Sequence, residues 1–283
     1  MSTQIEPPLL DVQNLGVTFK TPARTVNAVR GLSFTLGRER LAIVGESGSG
    51  KSMTGRALLD LVPLPGRVTA DRLAFKGRDL LTASKAEKRA LRGRHIAMVM
   101  QDPKFSLNPV MTVGRQITES IVTLTRAAKQ AARGEALAML EAVKIREPER
   151  VYDLYPHEVS GGMGQRVMIA MMLAAKPDIL IADEPTSALD VTVQTEVLAI
   201  MDELVTNRGM GLIFISHDLR LVASFCDRVI VMYAGRAVET LDAKELSTAQ
   251  HPYTQGLLSC LPDLDRPRDR LATLVRDPAW SAP

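Results

Sequence analysis

The chain is short of cysteine and of aromatic residues. Of its 283 residues two are cysteines, Cys226 and Cys260, one is Trp, and 4% are Phe, Trp or Tyr. Two thiols exclude a disulfide-stapled scaffold, and the expectation is a pair of reduced cysteines. An excess of one charge is also missing. There are 35 basic and 32 acidic side chains, a net charge of +3. A nucleic-acid footprint needs clustered excess Lys and Arg, so no nucleic-acid partner is expected. Long hydrophobic runs are lacking too. The richest stretch, 167–175, is flanked by Gln165, Arg166 and Lys176, far short of the ~18 apolar residues of a membrane span. The opening residues have neither a basic region nor an apolar core, so no secretory leader is expected. Any membrane role then comes through partners. What is present is ordinary globular material, 46% hydrophobic and 24% charged, enough to bury a core. The length suits two units of ~150 residues, or one large α/β domain with an insertion.

Val-, Phe- and Leu-rich stretches at 9–19 and 28–36, broken by Gly and Pro, predict strands. Residues 40–44 form a short apolar strand that runs into a Gly-rich turn, and a helix is expected from 50 to 61, stopped by Pro63 and Pro65. Further strands are expected at 67–75 and 96–100. Between 111 and 150 the pattern is Ala-rich, charged and helical, which predicts a helical insertion closing near Tyr155 and Pro156. Strand and helix then alternate at 179–182, 191–207, 211–216 and 228–233. On the 191–207 helix, Val193, Val197, Ile200, Met201 and Leu204 share one face. Such alternation predicts a mostly parallel sheet covered on both faces. The mixed Asp and Arg tail after Pro262 reads as a solvated loop or frayed end.

Gly45, Glu46, Ser47, Gly48, Ser49, Gly50, Lys51 and Ser52 fit the pattern G-x-x-x-x-G-K-[ST] between a strand and a helix. Glycines permit the torsions that turn successive N–H groups inward. Those groups and the helix N-terminus hold phosphate. Lys51 then reaches the β- and γ-phosphates, and the Ser52 hydroxyl ligates Mg²⁺. Asp183 and Glu184 end the apolar strand at 179–182, the edge at which ligands of open α/β sheets lie. Taken alone this is also an ordinary strand with an acidic helix cap. Beside a phosphate loop, Asp183 is the candidate for holding Mg²⁺, usually through water, and Glu184 the candidate general base. His217 follows another apolar strand and is placed to donate to the γ-phosphate and orient water. Ser160, Gly161 and Gly162 open an apolar helix, a second N-terminus suited to an anion. The methionines 163, 168, 171 and 172 read as core filling.

These segments occur in the order of an ABC transporter ATPase subunit. The loop at 45–52, Gln101, the run from Ser160 to Gln165, the strand with Asp183 and Glu184, Ser187-Ala188-Leu189-Asp190 and His217 resemble its Walker A, Q-loop, signature, Walker B, D-loop and H-loop. The resemblance covers about residues 9–262. Gln101-Asp102-Pro103-Lys104-Phe105-Ser106-Leu107-Asn108-Pro109, Tyr155-Pro156-His157-Glu158 and His251-Pro252-Tyr253-Thr254 are similar to the dipeptide, oligopeptide and nickel importer branch. Two departures stand out. That branch commonly has a basic residue where this chain has Gly164. Many of its members also carry a four-cysteine iron–sulfur segment after the His-Pro-Tyr-Thr element, where this chain has Cys260 alone. One thiol cannot hold such a cluster, so no iron–sulfur cluster is expected.

The resemblance implies an α/β P-loop fold with a mixed or parallel sheet core and an antiparallel β portion near the N-terminus. It implies one ABC ATPase domain over 1–283, a helical subdomain at 105–165 and a C-terminal extension at 250–283. ATP and Mg²⁺ are the implied cofactors, with Gln101 and Asp190 added to the nucleotide site and Gln101 also to the metal. Phe19 lies at the distance expected of an aromatic that stacks on adenine, and it is equally a strand residue facing the core. The implied partners are a second ATPase subunit in a head-to-tail dimer, identical or paralogous, two transmembrane permeases and, indirectly, a solute-binding protein. ATP would lie between Lys51 of one chain and Ser160 of the other. The implied location is peripheral, at the cytoplasmic face of the inner membrane. Peptides, nickel complexes and opine-like conjugates all remain open as cargo. A soluble ABC-type ATPase acting on DNA or ribosomes would show coiled-coil insertions, zinc cysteines or tandem halves. A regulatory module without hydrolysis conflicts with Glu184 and His217.

Overall fold

The computed structural model describes residues 7–100, 107–187, 189–261, 274, 276, 277 and 280. Gln101 and residues 102–106 lie outside them, as does Ala188. In chain order the elements begin β1 (Leu10–Lys20), β2 (Thr25–Leu36), β3 (Arg40–Val44), α1 (Lys51–Leu58), β4 (Gly66–Thr69), β5 (Arg72–Phe75), β6 (Arg78–Asp79), α2 (Lys85–Leu91) and β7 (Ile96–Val99). They continue α3 (Val113–Thr125), α4 (Lys129–Ala142), α5 (Pro148–Asp153), α6 (Gly161–Leu173), β8 (Ile179–Asp183), α7 (Val191–Arg208) and β9 (Gly211–Ser216). The last are α8 (Leu219–Phe225), β10 (Arg228–Tyr233), β11 (Arg236–Asp242) and α9 (Pro252–Ser259). The chain divides into two compact units. The first joins residues up to Ala83 with those from Ile213 onward, and the second runs from Ser84 to Leu212. The helices expected as an insertion fall in this second unit, which is wider than the expected 105–165.

In the first unit β1 is the hub of an antiparallel sheet, pairing with β2, β4 and β5. Its buried residues switch from Leu10 and Val12 to Leu15 and Val17. The switch of parity comes from an irregular register between Val12 and Leu15, where Asn14 has a φ of 53°. One extra residue there turns the later side chains back to the core. The same irregularity explains why the single strand expected at 67–75 is two. β4 pairs with Gly16–Phe19 and β5 with Leu10–Gln13, and at the break Asn14 Nδ2 donates to Asp71 Oδ2 at 3.1 Å. β3 pairs in parallel with β10, and β10 in antiparallel fashion with β11. Their apolar runs are buried on both faces, as a parallel pair requires. Ala234 and Gly235, at φ 46° and 86°, make the tight turn between β10 and β11 with the twist a hairpin favours. Cys226 is buried beside β10. Burial, and then the neighbouring Asp227 charge, push its thiol up to about 12, so it stays protonated and unreactive at neutral pH.

In the second unit β7 and β8 pair in parallel, each buried along its length. The α2 helix, not marked by any apolar period, starts with a capping box in which Ser84 Oγ accepts from Glu87 N and Glu87 answers to Ser84 N. Ile117, Ile121, Ala132, Ala136 and Leu140 of α3 and α4 are fully buried. On α7, Val197, Ile200, Met201 and Leu204 face inward as their spacing predicts, while Val193 is half-buried. Tyr152 of α5 packs where a Cβ on Gly114 of α3 would stand, and its hydroxyl bonds Thr118 Oγ1 at 2.8 Å in a buried position. A methyl at 114 therefore displaces the ring and strains that hydrogen bond. Gly114→Ala is expected to lower stability by about 1–3 kcal/mol despite its better helix propensity, measured by urea unfolding of the full chain.

Candidate functional site

The loop at 45–52 joins β3 to α1 in the first unit. Three of its glycines have positive φ: Gly45 at 147°, Gly48 at 82° and Gly50 at 104°. They differ in what surrounds them. A Cβ at Gly45 would collide with the Met232 carbonyl oxygen, and one at Gly50 with the Ala28 carbonyl oxygen. At Gly48 nothing lies within 4 Å of that position. Gly45 and Gly50 thus let the loop press onto β10 and β2, and Gly48 keeps its open side bare. The Ser49 carbonyl accepts from Gly235 N at 3.0 Å, which fastens the loop to the β10–β11 turn. Gly50 caps α1 through a left-handed backbone and not through a side chain. The start of the helix therefore offers backbone N–H groups suited to an anion. Lys51 is 5% exposed. Its Nζ donates to the Gly45 and Glu46 carbonyls at 2.8 and 3.0 Å, so the ammonium is held over the loop. A bare glycine cradle, helix N–H groups and a buried ammonium fit the phosphates of a nucleotide.

His217 follows β9 and is exposed. The next residue, Asp218, caps α8 by accepting from Arg220 N and Leu221 N at 3.0 and 3.1 Å. Phe19 sits near the end of β1, half-buried, and its Cε1 would be 2.7 Å from a Cβ on Gly66. The ring covers Gly66 from the side.

The second unit carries the other predicted groups. Asp183 ends β8 and is 6% exposed. Glu184 follows in the left-handed region, at φ 48°. A residue with a Cβ occupies that region at a cost, and the turn after it holds it there: Ser187 N and Oγ donate to the Glu184 carbonyl at 3.3 and 3.2 Å. The abrupt change of backbone separates the directions of two adjacent carboxylates. Ser160 caps α6, its Oγ accepting from Met163 N at 3.3 Å, and Asp190 caps α7 by accepting from Val193 N at 3.0 Å. The structure brings these three segments together. Gln165, 1% exposed, donates its Nε2 to the Pro185 carbonyl directly after the carboxylates. A Cβ at Gly162 would lie 2.6 Å from Val193 Cγ1, so the starts of α6 and α7 are in close contact. Gly161 has open space around it. Of the two predicted glycines, Gly161 leaves room for a ligand and Gly162 serves packing. The role of Gln165 is visible only in the fold, because in sequence it is one more polar residue of the signature.

For a metal, the donor chemistry fits Mg²⁺. Each unit by itself offers a hard oxygen donor, the Ser52 hydroxyl in the first and the Asp183 carboxylate at the end of β8 in the second, and Mg²⁺ takes such donors together with phosphate oxygens. Among the described residues no three His, Cys, Asp or Glu side chains gather into a metal cluster. A groove of about 770 Å³ on the second unit is lined by Lys144, Arg150, Glu158, Arg166, Glu196 and Glu203 among others. Lys144 pairs with Glu203 at 3.1 Å and Arg166 with Glu196. The groove's charges are internally balanced, which makes it a poor attractor for a nucleotide.

Two residues of the C-terminal part reach the phosphate loop, while most of the tail after Pro262, expected to be solvated, lies outside the described residues. Tyr253 of α9 is fully buried and its hydroxyl accepts from Glu46 N at 3.0 Å. Arg276 pairs with the Glu46 carboxylate at 2.8 Å. No sequence signal marked either contact, since 207 and 230 positions separate the partners.

A glycine loop between strand and helix, with a buried strand ending in Asp and Glu, defines a P-loop nucleotide-binding protein. Residues 29–187 match the ABC transporter family, and the chain belongs to that family. It is 48% identical over 270 residues to the oligopeptide transport ATP-binding protein OppD of Bacillus subtilis, covering 94% of this chain and 75% of that one. It is 47% identical over 268 residues to the dipeptide transport ATP-binding protein DppD of Escherichia coli, covering 94% and 82%. Among solved structures, the post-hydrolysis dimer of the ATP-binding cassette MJ0796 bound to ADP and Pi superposes with a TM-score of 0.71 at 27% identity, covering 83% of this chain and 98% of that one. The cassette cbiO1 from Clostridium perfringens gives 0.73 at 26% identity, covering 86% and 92%. The expected α/β cassette fold is thereby established.

The contrast between two loop glycines is testable. Both substitutions force a Cβ into positive φ, which costs ~1–2 kcal/mol, but only the one at 50 also meets backbone. Gly50→Ala is expected to lower both thermal stability and ATP affinity more than Gly48→Ala, measured by calorimetry and by titration with ATP.

Proposed function

We propose that this chain is the ATP-binding and ATP-hydrolysing subunit of an ABC importer that takes up peptides through partner permeases. The observation that carries the reading is the loop at 45–52, with Gly48 open and the Lys51 ammonium held over it. In this reading Lys51 and the loop N–H groups hold the phosphates of ATP, and Ser52 and Asp183 hold Mg²⁺, which neutralises phosphate charge. Glu184 takes the proton of the attacking water, and His217 orients that water. Ser160 and Gly161 start the helix that faces the nucleotide of a second ATPase subunit, and Asp190 borders it. Gln101 contributes to the metal and nucleotide, and Phe19 stacks on adenine. The relatives named above support peptides as cargo rather than nickel complexes or opine-like conjugates.

The dimeric cassette and the relatives' names as transport ATP-binding proteins support a dimer of ATPases acting in transport; in this reading it works with two permeases, fed by a solute-binding protein. The dimer closes on ATP and opens after hydrolysis, and that cycle drives the permeases between two states. Among the described residues no helix is long and apolar enough to cross a membrane. The subunit is held at the cytoplasmic face of the membrane by the permeases.

Positioned general bases contribute roughly 10²–10⁴ in rate. Glu184→Gln keeps shape and removes basicity, so it is expected to bind MgATP and hydrolyse it at most about a hundredth as fast. Unchanged turnover would remove Glu184 from the role of base. Cells lacking the chain are expected to lose uptake of labelled di- or oligopeptide. The wild type restores it and Lys51→Ala does not. Undiminished peptide uptake in the deleted cells would reject the cargo reading.

A further inference from the structure

We propose that the C-terminal part of the chain tunes ATP affinity: Arg276 and Tyr253 are positioning residues that act on the phosphate loop through Glu46. The inference rests on the reading of 45–52 as the phosphate loop.

Glu46 is the second residue of that loop, and its carboxylate belongs to a loop that has to receive a polyanion. Its charge is met from one side. Arg276 Nη2 donates to Oε1 at 2.8 Å and Arg276 Nε to Oε2 at 3.3 Å, a two-pronged pairing that fixes orientation as well as charge. The pairing and the Glu46 charge hold the guanidinium above its ordinary pKa. Meanwhile the Glu46 backbone N–H donates to the Tyr253 hydroxyl at 3.0 Å, which fixes the direction in which the loop leaves β3. Tyr253 is itself immobilised. It is fully buried, its ring lies 4.6 Å from Tyr233 and 5.7 Å from Trp280, and its backbone N–H is capped by His251 Nδ1 at 3.1 Å.

Backbone and side chain of one loop residue are thus both held by groups more than 200 positions away in sequence. The two contacts do different work. Tyr253 sets loop geometry from a rigid aromatic cluster. Arg276 cancels a negative charge that would otherwise repel phosphate. An exposed ion pair adds little to folding stability, and the Arg276 side chain is 65% exposed. Its effect therefore falls on the ligand rather than on the fold.

The test is a double-mutant cycle on the full chain, reading the Kd for ATP and kcat separately. Arg276→Ala is expected to weaken ATP binding about 3–10-fold, the effect of one uncompensated charge near the phosphates, with kcat within about twofold. Glu46→Gln removes the charge that needs cancelling. In that background Arg276→Ala is expected to change Kd less than about twofold, the two sites being coupled through their ion pair. Arg276→Lys is expected to restore part of the affinity, as a cation without the fork. Tyr253→Phe keeps the ring and removes the acceptor, and it is expected to raise Kd with the near-UV circular dichroism of the aromatic cluster retained. Equal weakening by Arg276→Ala in both backgrounds, or none in the wild-type background, overturns the role of Arg276. An unchanged Kd in Tyr253→Phe overturns that of Tyr253. Lys51→Ala is the control for the underlying reading: undiminished ATP binding there removes the phosphate loop itself, whereas loss of binding there with no effect at Arg276 and Tyr253 rejects this inference alone.

Discussion

Contact between the phosphate loop and neighbouring backbone is the constraint on which the first unit depends. Gly45 lies against the Met232 carbonyl and Gly50 against that of Ala28, with no room for a Cβ at either point. The loop is therefore a mould shaped by β2 and β10, and its left-handed torsions follow from that seating. The parallel pairing of β3 with β10 puts Met232 where it is needed, and the Ser49–Gly235 hydrogen bond closes the other end. Backbone groups fixed in this way need no rearrangement when phosphate arrives, which is how preorganised donors gain their strength. The buried Lys51 ammonium depends on the same seating, since both its carbonyl partners belong to the loop.

The second unit has a comparable knot around Pro185. The buried Gln165 amide joins α6 to the turn behind Asp183 and Glu184, and the Gly162–Val193 contact joins α6 to α7. Both helices have their starts capped by side chains the sequence pattern had marked for function, Ser160 and Asp190. A capping oxygen occupies one backbone donor and leaves the remaining N–H groups of the first turn available. Gln165 thus ties α6 to the turn that follows Asp183 and Glu184 through one hydrogen bond. Glu184 at φ 48° is the strained point of this knot, a backbone region that a residue with a Cβ occupies at a cost.

Much of this was legible in the sequence because the signals are local. Residues 40–44, 211–216 and 228–233 are apolar runs bounded by polar or glycine residues, and each is a strand with those limits. The phosphate loop could be read because backbone geometry, not distant packing, demands its glycines. The strand expected at 67–75 broke into two because Asn14, on another strand, interrupts the pairing. The α2 helix is not legible in the apolar pattern because its signal is a cap and not a period. Val193 shares the apolar face of its helix but is half-buried: it stands in the first turn, where its cover is the start of α6 at Gly162.

What the sequence determined by itself was the class of chemistry: a phosphate loop, a strand ending in two carboxylates, and a capped glycine helix in a fixed order. Those features need only neighbours in the chain, whose torsions and spacing are set within a few residues. Only the tertiary structure decided which groups steady them. It divided Gly161 from Gly162 by the space around each, attached Gln165 to Pro185, and set Tyr253 and Arg276 against Glu46. Such contacts depend on where the chain returns after long excursions. No local pattern of charge or hydrophobicity records that, because a hydroxyl or guanidinium is the same in sequence whether it meets water or a loop.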